Sequence, residues 1–297
     1  MAFRDVNRST IIRPIYGAAQ SAPAASTTQV LRLPQGATYA DLILFMTIAG
    51  TAATRAQIEA QLANVRVSLS GEEKINLTGK EVIAICEFYE SGVVADTGMF
   101  LLPFSRLWMN GASAQLEPDW GTNSESSFQI ELTWAAGTTI DLVQTFARIE
   151  TTSQELGAHV RPIKLTPTFA STGKYIYPDL PNEPGTFLYA LHYEVPVVAN
   201  LTNVALLVDD VRLLDCPPAV TDAMQRRGYR ARTPQTAKLF VHTDFTSRGF
   251  DSDAIPLGLT RRMELELTFA NAAPNSFSII AEIGTVKPTQ AGAARQA

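Results

Sequence analysis

The residues best suited to chemistry in this chain are its three histidines, His159, His192 and His242. They lie far apart in the sequence, and no two of them have the close spacing that metal ligands have on one helix or loop. His192 lies inside the alternating apolar segment LYALHYEV, which favours a buried structural histidine over a ligand. The histidines therefore indicate neither a metal centre nor a general base.

Acidic residues form the second group of candidates. Asp209-Asp210 and Asp251-Ser252-Asp253 place carboxylates close together, but neither lies in the loop of about 12 residues that a calcium-binding hand needs. Turns are the favoured interpretation of both segments, and calcium binding is the alternative. Glu131 and Glu266 occur at matching places in two similar segments. Converging carboxylates would suit glycan cleavage, whereas alternation with apolar residues favours solvent-facing positions on strands.

Other residue types add no catalytic motif. The chain has no G-x-S-x-G, no nucleotide-binding glycine loop and no C-x-x-C. Trp108, Trp120 and Trp134 would suit a sugar platform if they were exposed, but core and rim positions are favoured. Cys86 is expected in the core, and together with Cys216 it is too little for a disulfide framework. We therefore expect no catalytic residues and no cofactor.

The segments that should form the strands around these residues occur twice in the sequence. FQIELTWA, ending at Ala135, is echoed by MELELTFA, ending at Ala270, and 269 − 134 gives an offset of 135. LANV is echoed by LTNV (203 − 64 = 139), and FLLPFSR by FVHTDFTSR (240 − 100 = 140). Echoes in the same order and at nearly one offset indicate tandem duplicated domains. Trp134 and Phe269 should then occupy equivalent places.

Local patterns predict the same order of elements in each copy. In the first, alternating residues on both sides of Ser70-Gly71-Glu72 predict a hairpin, and Thr78-Gly79-Lys80-Glu81 has the spacing of a capping box. The helix that follows should end near Tyr89, with Gly92 as its exit. An additional helix is expected over residues 55–61, as an insertion that the second copy lacks.

In the second copy, the hairpin should turn at Asp209-Asp210. Asp215 is expected to cap a helix that starts at the prolines 217 and 218, runs to about Arg227 and closes at Gly228. The remaining residues form short alternating segments separated by Gly, Pro and Asn, which is typical of all-β sandwiches. The predicted domains are an arm (1–28), a sandwich (29–152), a linker (153–159), a second sandwich (160–286) and a tail (287–297).

Charge is distributed unevenly along the chain. The formal net charge is −5, residues 1–29 and 287–297 each carry +2, and the body therefore carries −5 − 4 = −9. An acidic body excludes general coating of nucleic acid, although basic termini suit contacts with phosphate or lipid headgroups. No apolar stretch approaches the roughly 20 residues of a membrane span. The start MAFRDVNRST lacks the apolar region of a signal peptide, so we expect folding in a reducing cytosol.

The N-terminal arm combines arginines with apolar residues, among them Ile11, Ile12 and Ile15. These isoleucines would share a helical face, but Pro14 breaks a helix begun earlier. An extended arm that clamps a partner surface is therefore favoured over a membrane-surface helix.

Two segments resemble the opening of the corticovirus major capsid protein. Residues 33–39 read L-P-Q-G-A-T-Y and residues 64–71 read N-V-R-V-S-L-S-G, similar to the L-P-x-G-x-T-Y and N-V-R-V-x-L-x-G segments of that family. Asp179-Leu180-Pro181 ahead of the second sandwich is also similar. The longer arm and the insertion at 55–61 depart from the family pattern.

The resemblance implies a double jelly-roll major capsid protein of a tailless icosahedral virus with an internal membrane. Its expected partners are two further copies in a pseudo-hexagonal trimer, neighbouring capsomers, a vertex protein and the inner membrane through the termini, without sequence-specific nucleic acid. The expected location is the virion capsid, after synthesis in the host cytoplasm. A tandem β-sandwich carbohydrate-binding protein and a jelly-roll glycan amidase remain the alternatives.

Overall fold

The computed structural model describes residues 10–14, 20–21, 26–89, 98–110, 119–150, 153–168, 173–178, 180–181, 184–227, 231–258, 260–270 and 277–285. Contacts divide the chain into two compact units. The first comprises Met1–Cys86, Gly92–Leu107 and Gly111–His159. The second comprises Glu87–Ser91, Trp108–Asn110 and Val160–Ala297, so it includes two short segments from the first half of the chain.

The first unit contains two antiparallel sheets. Its strands are β1 (Thr10–Pro14), β2 (Gln20–Ser21), β3 (Thr28–Arg32), β4 (Thr38–Ile48), β5 (Thr51–Ala52), β6 (Leu62–Leu69), β7 (Glu72–Leu77), β8 (Met99–Pro103), β9 (Trp120–Gly121), β10 (Phe128–Trp134) and β11 (Leu142–Glu150). One sheet has the order β1-β11-β4-β5, with β2 pairing β11 and with β8 and β9 pairing β4. The other has the order β3-β10-β6-β7.

The second unit repeats this plan. Its strands are β12 (Val160–Leu165), β13 (Gly173–Tyr177), β14 (Thr186–Glu194), β15 (Leu201–Val208), β16 (Val211–Cys216), β17 (Phe240–Asp244), β18 (Ile255–Pro256), β19 (Met263–Phe269) and β20 (Ser278–Thr285). One sheet has the order β12-β20-β14-β17, with β18 pairing β14, and the other has the order β13-β19-β15-β16.

The strand order identifies both units as jelly rolls. When the longer strands of each unit are numbered one to eight along the chain, the first sheet pairs them as 1-8-3-6 and the second as 2-7-4-5, in both units. This arrangement of two facing four-stranded sheets is the jelly roll. The predicted all-β fold of two tandem jelly-roll sandwiches is confirmed.

The seventh strands, β10 and β19, are the two segments whose sequences echo each other. In β10 every second side chain is buried, namely those of Phe128, Ile130, Leu132 and Trp134. Trp134 lies opposite Leu62 and Thr133 opposite Asn64, so the pairing skips residue 63. Phe269 lies opposite Leu201 and Thr268 opposite Asn203, so the pairing skips residue 202. The two aromatic residues therefore occupy equivalent places, as predicted, each beside a β-bulge.

In the described part of the chain, three α-helices accompany the strands: α1 (Arg55–Gln61), α2 (Gly79–Tyr89) and α3 (Pro218–Gln225). The capping box at α2 is present, since the Glu81 carboxylate accepts from the Thr78 backbone N–H (2.7 Å) and the Thr78 hydroxyl accepts from the Glu81 N–H (3.2 Å). The proposed exit at Gly92 lies outside the described residues. No helix in the described part of the chain is both long and apolar enough to span a membrane.

The prediction that Asp215 caps α3 is wrong. Its carboxylate accepts from the Asn203 amide (2.7 Å) across the β15–β16 hairpin and pairs with Arg212 (2.6 Å) on its own strand. The N-cap is instead Pro217, which makes no side-chain hydrogen bond, and the helix ends at Gln225 rather than near Arg227. Gly228 lies outside the described residues.

The predicted arm is not wholly separate from the first sandwich. Residues Thr10–Pro14 pair antiparallel with β11 from Glu150 to Phe146, and Gln20–Ser21 pair with the start of β11. The arm is therefore extended here, but it forms the first strand of a jelly-roll sheet rather than a free clamp. The predicted boundaries at residues 152, 160 and 286 stay predictions.

We predict that Trp134→Ala destabilises the first sandwich by roughly 3–5 kcal/mol, because the buried indole leaves a cavity that the sheets fill only partly. Trp134→Phe should lose less than half as much, since Phe stands at the equivalent position 269 and the indole N–H makes no hydrogen bond. Urea unfolding measures both variants. A loss below about 1 kcal/mol for Trp134→Ala would contradict the prediction.

Candidate functional site

Glu131 lies in an ion-pair ladder that crosses three strands of the first sandwich. The Arg66 guanidinium on β6 contacts Glu131 on β10 (3.3 Å) and Glu73 on β7 (2.7 Å). The amides of Asn64 and Asn76 hydrogen-bond beside it at 3.0 Å. The carboxylate of Glu131 therefore supports cross-strand pairing.

Glu266 holds the equivalent position in the second sandwich with different partners. Its carboxylate pairs with Lys174 on β13 (2.5 Å) and with Arg212 on β16 (3.2 Å). The arginine comes from β16 because residue 205, the counterpart of Arg66, is alanine. Glu266 is 6% exposed, so the expectation that both glutamates face solvent fails for it. Two cations compensate the buried charge, and each glutamate is held within its own sheet rather than in a convergent acid pair.

The aspartate pairs form turns. Asp209 and Asp210 have φ values of 49° and 67°, at the hairpin position occupied by Ser70 and Gly71 in the first sandwich. One oxygen of Asp209 accepts from the backbone N–H groups of Arg261 (2.7 Å) and Arg262 (2.9 Å). The hydrogen bonds of this carboxylate thus stabilise a left-handed turn that the first sandwich forms with a glycine.

The third acidic segment, Asp251–Asp253, is a short 3-10 helix. The Asp253 carboxylate accepts from Arg248 Nε at 2.9 Å. Among the described residues, no group of three or more histidines, cysteines, aspartates or glutamates is arranged to hold a metal ion. Calcium binding at either aspartate segment therefore gains no support from the geometry.

The three tryptophans are buried, and none presents an exposed ring for a sugar. Trp120 stacks on Phe104 with ring centroids 4.3 Å apart, and Trp108 stacks on Tyr89 at 4.2 Å. Trp134 lies in the core beside the bulge. Cys86 is also buried, as expected of a core residue.

Two histidines meet in the second sandwich, which the sequence did not reveal. His192 on β14 lies directly opposite His242 on β17, and their Nδ1 atoms are 2.7 Å apart. One ring donates to the other, which requires different tautomers. Two imidazoles on one tetrahedral zinc ion would hold their nitrogens about 3.3 Å apart, so this contact is a hydrogen bond and not an empty zinc site. The prediction that His192 is a buried structural residue agrees with this geometry.

The histidine pair belongs to a larger buried polar cluster. Glu282 on β20 lies 3.4 Å from His192 Nε2 and accepts from the Tyr89 hydroxyl at 2.8 Å. Phe88 stacks on the His242 ring with centroids 4.2 Å apart. Phe88 and Tyr89 both lie at the end of α2, in a segment that belongs to the second unit.

A buried ion pair borders the cluster. Arg232 Nε donates to Asp244 at 2.9 Å, and both side chains are fully buried. The other Asp244 oxygen accepts from the Thr246 hydroxyl (2.6 Å) and backbone N–H (2.8 Å), while Arg232 also lies over the Tyr89 ring. These hydrogen bonds offset the desolvation of the two charges, and losing either partner would leave an unpaired buried charge.

The electrostatics of the cluster keep His242 neutral. Burial lowers the pKa of His242 well below its ordinary value of 6.5, and the neighbouring His192 lowers it further. His242 Nε2 has no hydrogen-bond partner. A proton added there would be buried without an acceptor, so the ring has no means of acting as a base at neutral pH.

Comparisons with known proteins agree with the two-sandwich arrangement. The family model "Viral coat protein P2 N-terminal domain" matches residues 19–152, and "Viral coat protein P2 C-terminal domain" matches residues 160–286. Together the two models span most of the chain, one for each sandwich. No curated protein sequence matches the chain significantly.

Several solved structures share the fold. The major capsid protein P2 of bacteriophage PM2 has a TM-score of 0.78 at 19% identity, over 94% of this chain and 97% of that one. A chain of Sulfolobus turreted icosahedral virus has a TM-score of 0.66 at 12% identity, over 97% and 96%. A chain of the PBCV-1 virus capsid has 0.61 at 9%, over 95% and 96%. At these identities the likeness shows the fold alone.

We predict that acid destabilises the second sandwich through His242. Its folded pKa lies below the unfolded value, so the unfolded chain binds the proton more readily. The stability is complete above about pH 6.5 and declines as the pH falls toward the folded pKa, by roughly 1–2 kcal/mol near pH 5.5.

His242→Asn keeps a polar group near the Nδ1 position and removes the titration, so it should reduce this loss. Denaturant unfolding of the wild type and the variant at both pH values measures the difference. Equal pH dependence in the wild type and in His242→Asn would contradict the assignment.

Proposed function

The chain belongs to the viral coat protein P2 family, and from this premise we propose that it is the major capsid protein of an icosahedral virus. The observation that carries the proposal is the match of two consecutive family models to two jelly rolls of identical strand order. The protein is then a structural component of the virion. The P2 protein of bacteriophage PM2, which shares its fold, is also a major capsid protein.

Duplication of the sandwich supports a trimeric capsomer. Three copies of a doubled domain present six similar sides, and units with six similar sides pack with hexagonal neighbours. Homo-oligomers close through rotational symmetry, so three copies with two matching side faces form a ring. A trimer of tandem jelly rolls therefore tiles the flat facets of a shell from a single gene product.

The candidate chemical residues support a structural role over the two alternatives. Glu131 and Glu266 are held in ion pairs within their own sheets, and the buried tryptophans offer no platform for a sugar. Neither the glycan amidase nor the carbohydrate-binding protein gains an observation from the described residues.

Further partners follow from the family and from charge. Neighbouring capsomers and a vertex protein complete a closed shell. The basic termini, residues 1–29 and 287–297 with +2 each, suit contact with anionic lipid headgroups of an inner membrane. Synthesis in the host cytoplasm is part of this proposal, and Cys86 and Cys216, which form no disulfide, are compatible with a reducing environment.

Sedimentation of the purified chain tests the proposal. The monomer has a mass of 32.2 kDa, so a trimer has 3 × 32.2, or about 97 kDa. We expect the trimer to dominate and to persist on dilution, and concentrated trimers to form shells or flat arrays that electron microscopy resolves. A stable monomer at all concentrations would contradict the proposal and favour the carbohydrate-binding or amidase alternatives.

A truncation tests the N-terminal segment ahead of β1. Deleting residues 2–9 leaves the strand Thr10–Pro14 that pairs with β11, so trimers should form at normal yield. We expect fewer closed shells, because this segment carries two arginines and an apolar Phe3 for a partner surface.

The variant Arg4→Ser/Arg8→Ser keeps the length of this segment and removes its positive charge. A defect in this variant as large as that of the deletion would assign the effect to charge. Shells that assemble at the normal rate without residues 2–9 would contradict the prediction.

A further inference from the structure

The two sandwiches carry equivalent helices, α2 and α3, directly after equivalent hairpins. Leu62 and Leu201 start the hairpins at an offset of 139, and the same offset relates the helix starts, Gly79 and Pro218. The hydrogen bond between Asn64 and Asn76 recurs between Asn203 and Asp215, which keeps the register through both hairpins. Positions along α2 and α3 can therefore be compared one by one.

Equivalent faces of the two helices differ in burial. Every residue of α2 from 81 to 89 is buried, with Glu81 0% and Ile85 8% exposed. Their counterparts on α3, Val220 and Met224, are 45% and 60% exposed. These two side chains lie four residues apart, so they share one face of the helix. The outer face of α3 is apolar and uncovered.

The edge strands before the helices differ in the same way. On β7, Lys74 pairs with Glu72 at 2.8 Å, with the two side chains 9% and 61% exposed, so a charged pair occupies these two positions of the edge strand. The counterparts on β16 are Leu213 and Val211, which are 53% and 60% exposed. Lys74 and Leu213 are both bulged residues, skipped in the strand pairing. The second sandwich thus keeps the bulge but has apolar residues in place of the Glu72–Lys74 pair, while Arg212 and Asp215 are the charged residues of β16.

The end of α2 is packed among residues of the second unit, where Phe88 stacks on His242 and Glu87 pairs with Lys238 at 2.9 Å. The equivalent helix, α3, is uncovered in the single chain. A second copy of this chain is the partner that can cover this exposed apolar face in a homo-oligomer.

Charge favours the first sandwich of that second copy as the partner. Residues 29–152 contain seven basic and fourteen acidic residues, a net charge of −7. Residues 160–286 contain twelve basic and thirteen acidic residues, a net charge of −1. Arg226 and Arg227 are exposed directly after α3. A basic border beside the apolar face complements an acidic jelly roll.

We propose that the outer face of α3 (Val220, Met224) and the edge of β16 (Val211, Leu213) bind the first jelly roll of a second copy of this chain. The proposal rests on the proposed function, and it names the surface through which the capsomer closes. The contact joins two different faces, which generates a closed ring when the rotation between copies is that of a trimer. A contact between two different faces requires a patch that only one of the two sandwiches carries.

The test transfers the first sandwich's own residues to the second. The double variant Val211→Glu/Leu213→Lys gives β16 the Glu–Lys pair that its counterpart β7 has at residues 72 and 74. The single variant Met224→Glu places one charge on α3. Sedimentation across a dilution series should show trimers that dissociate at protein concentrations at least about tenfold higher than the wild type, because each variant places charged groups in an apolar contact, where they lose their hydration. Thermal unfolding and circular dichroism of the dissociated chains confirm that each variant folds.

Ile176→Glu is the matched control. Ile176 on β13 is 45% exposed and lies in the same sheet as β16. Its counterpart in the first sandwich, Val30 on β3, is 44% exposed, so an exposed apolar residue at this position is common to both sandwiches. The control should remain trimeric at wild-type concentrations. A photo-reactive residue at position 224 should also cross-link to peptides of residues 29–152 in another copy.

The outcomes separate the two proposals. A monomeric wild type would contradict the proposed function and this inference together. A trimeric wild type with equally stable Val211→Glu/Leu213→Lys and Met224→Glu variants would overturn the inference alone. Equal weakening by Ile176→Glu would also overturn it, since any charge on this sheet would then have the same effect.

Discussion

The register of the seventh strand is the constraint on which each sandwich depends. β10 and β19 pair on both sides and contribute alternate side chains to the core, so a slip of one residue would turn the buried set outward. The bulge beside Trp134 and Phe269 fixes that register, because the extra residue on the neighbouring strand fits at one position only. The Glu-Leu-Thr segment that β10 and β19 share is the sequence feature that corresponds to this constraint.

Within this shared frame, the polar residues of the two sandwiches have diverged. Arg66 bridges Glu131 and Glu73 in the first, whereas Ala205 replaces the arginine in the second and Arg212 binds Glu266 from β16, one strand further along the sheet. The charge has moved one strand, yet a carboxylate in the middle of the sheet is compensated in both. Backbone pairing therefore sets the fold, and ion pairs rearrange around it.

Specialisation is concentrated outside the cores. The second sandwich buries a histidine pair, Glu282 and the Arg232–Asp244 ion pair on the sheet face opposite its core, beneath the aromatic residues at the end of α2. It also exposes apolar side chains on α3 and β16, where the first sandwich has charged or buried ones. A coat protein built from two similar domains needs such differences, because equivalent positions in one chain meet different neighbours in an assembly.

The sequence by itself determined what depends on neighbouring residues: the alternating strands, the turn at Ser70-Gly71, the capping box at Thr78 and the duplication. These follow from side-chain period and local hydrogen bonds, which are properties of short segments. The tertiary structure alone decided what depends on pairing between distant segments. His192 and His242 are 50 residues apart but opposite in register, and residues 10–14 join a sheet through β11. Asp215 binds Asn203 across the hairpin instead of capping a helix. Each of these contacts is set by which strands lie side by side, and that arrangement is fixed by burial of the whole sandwich.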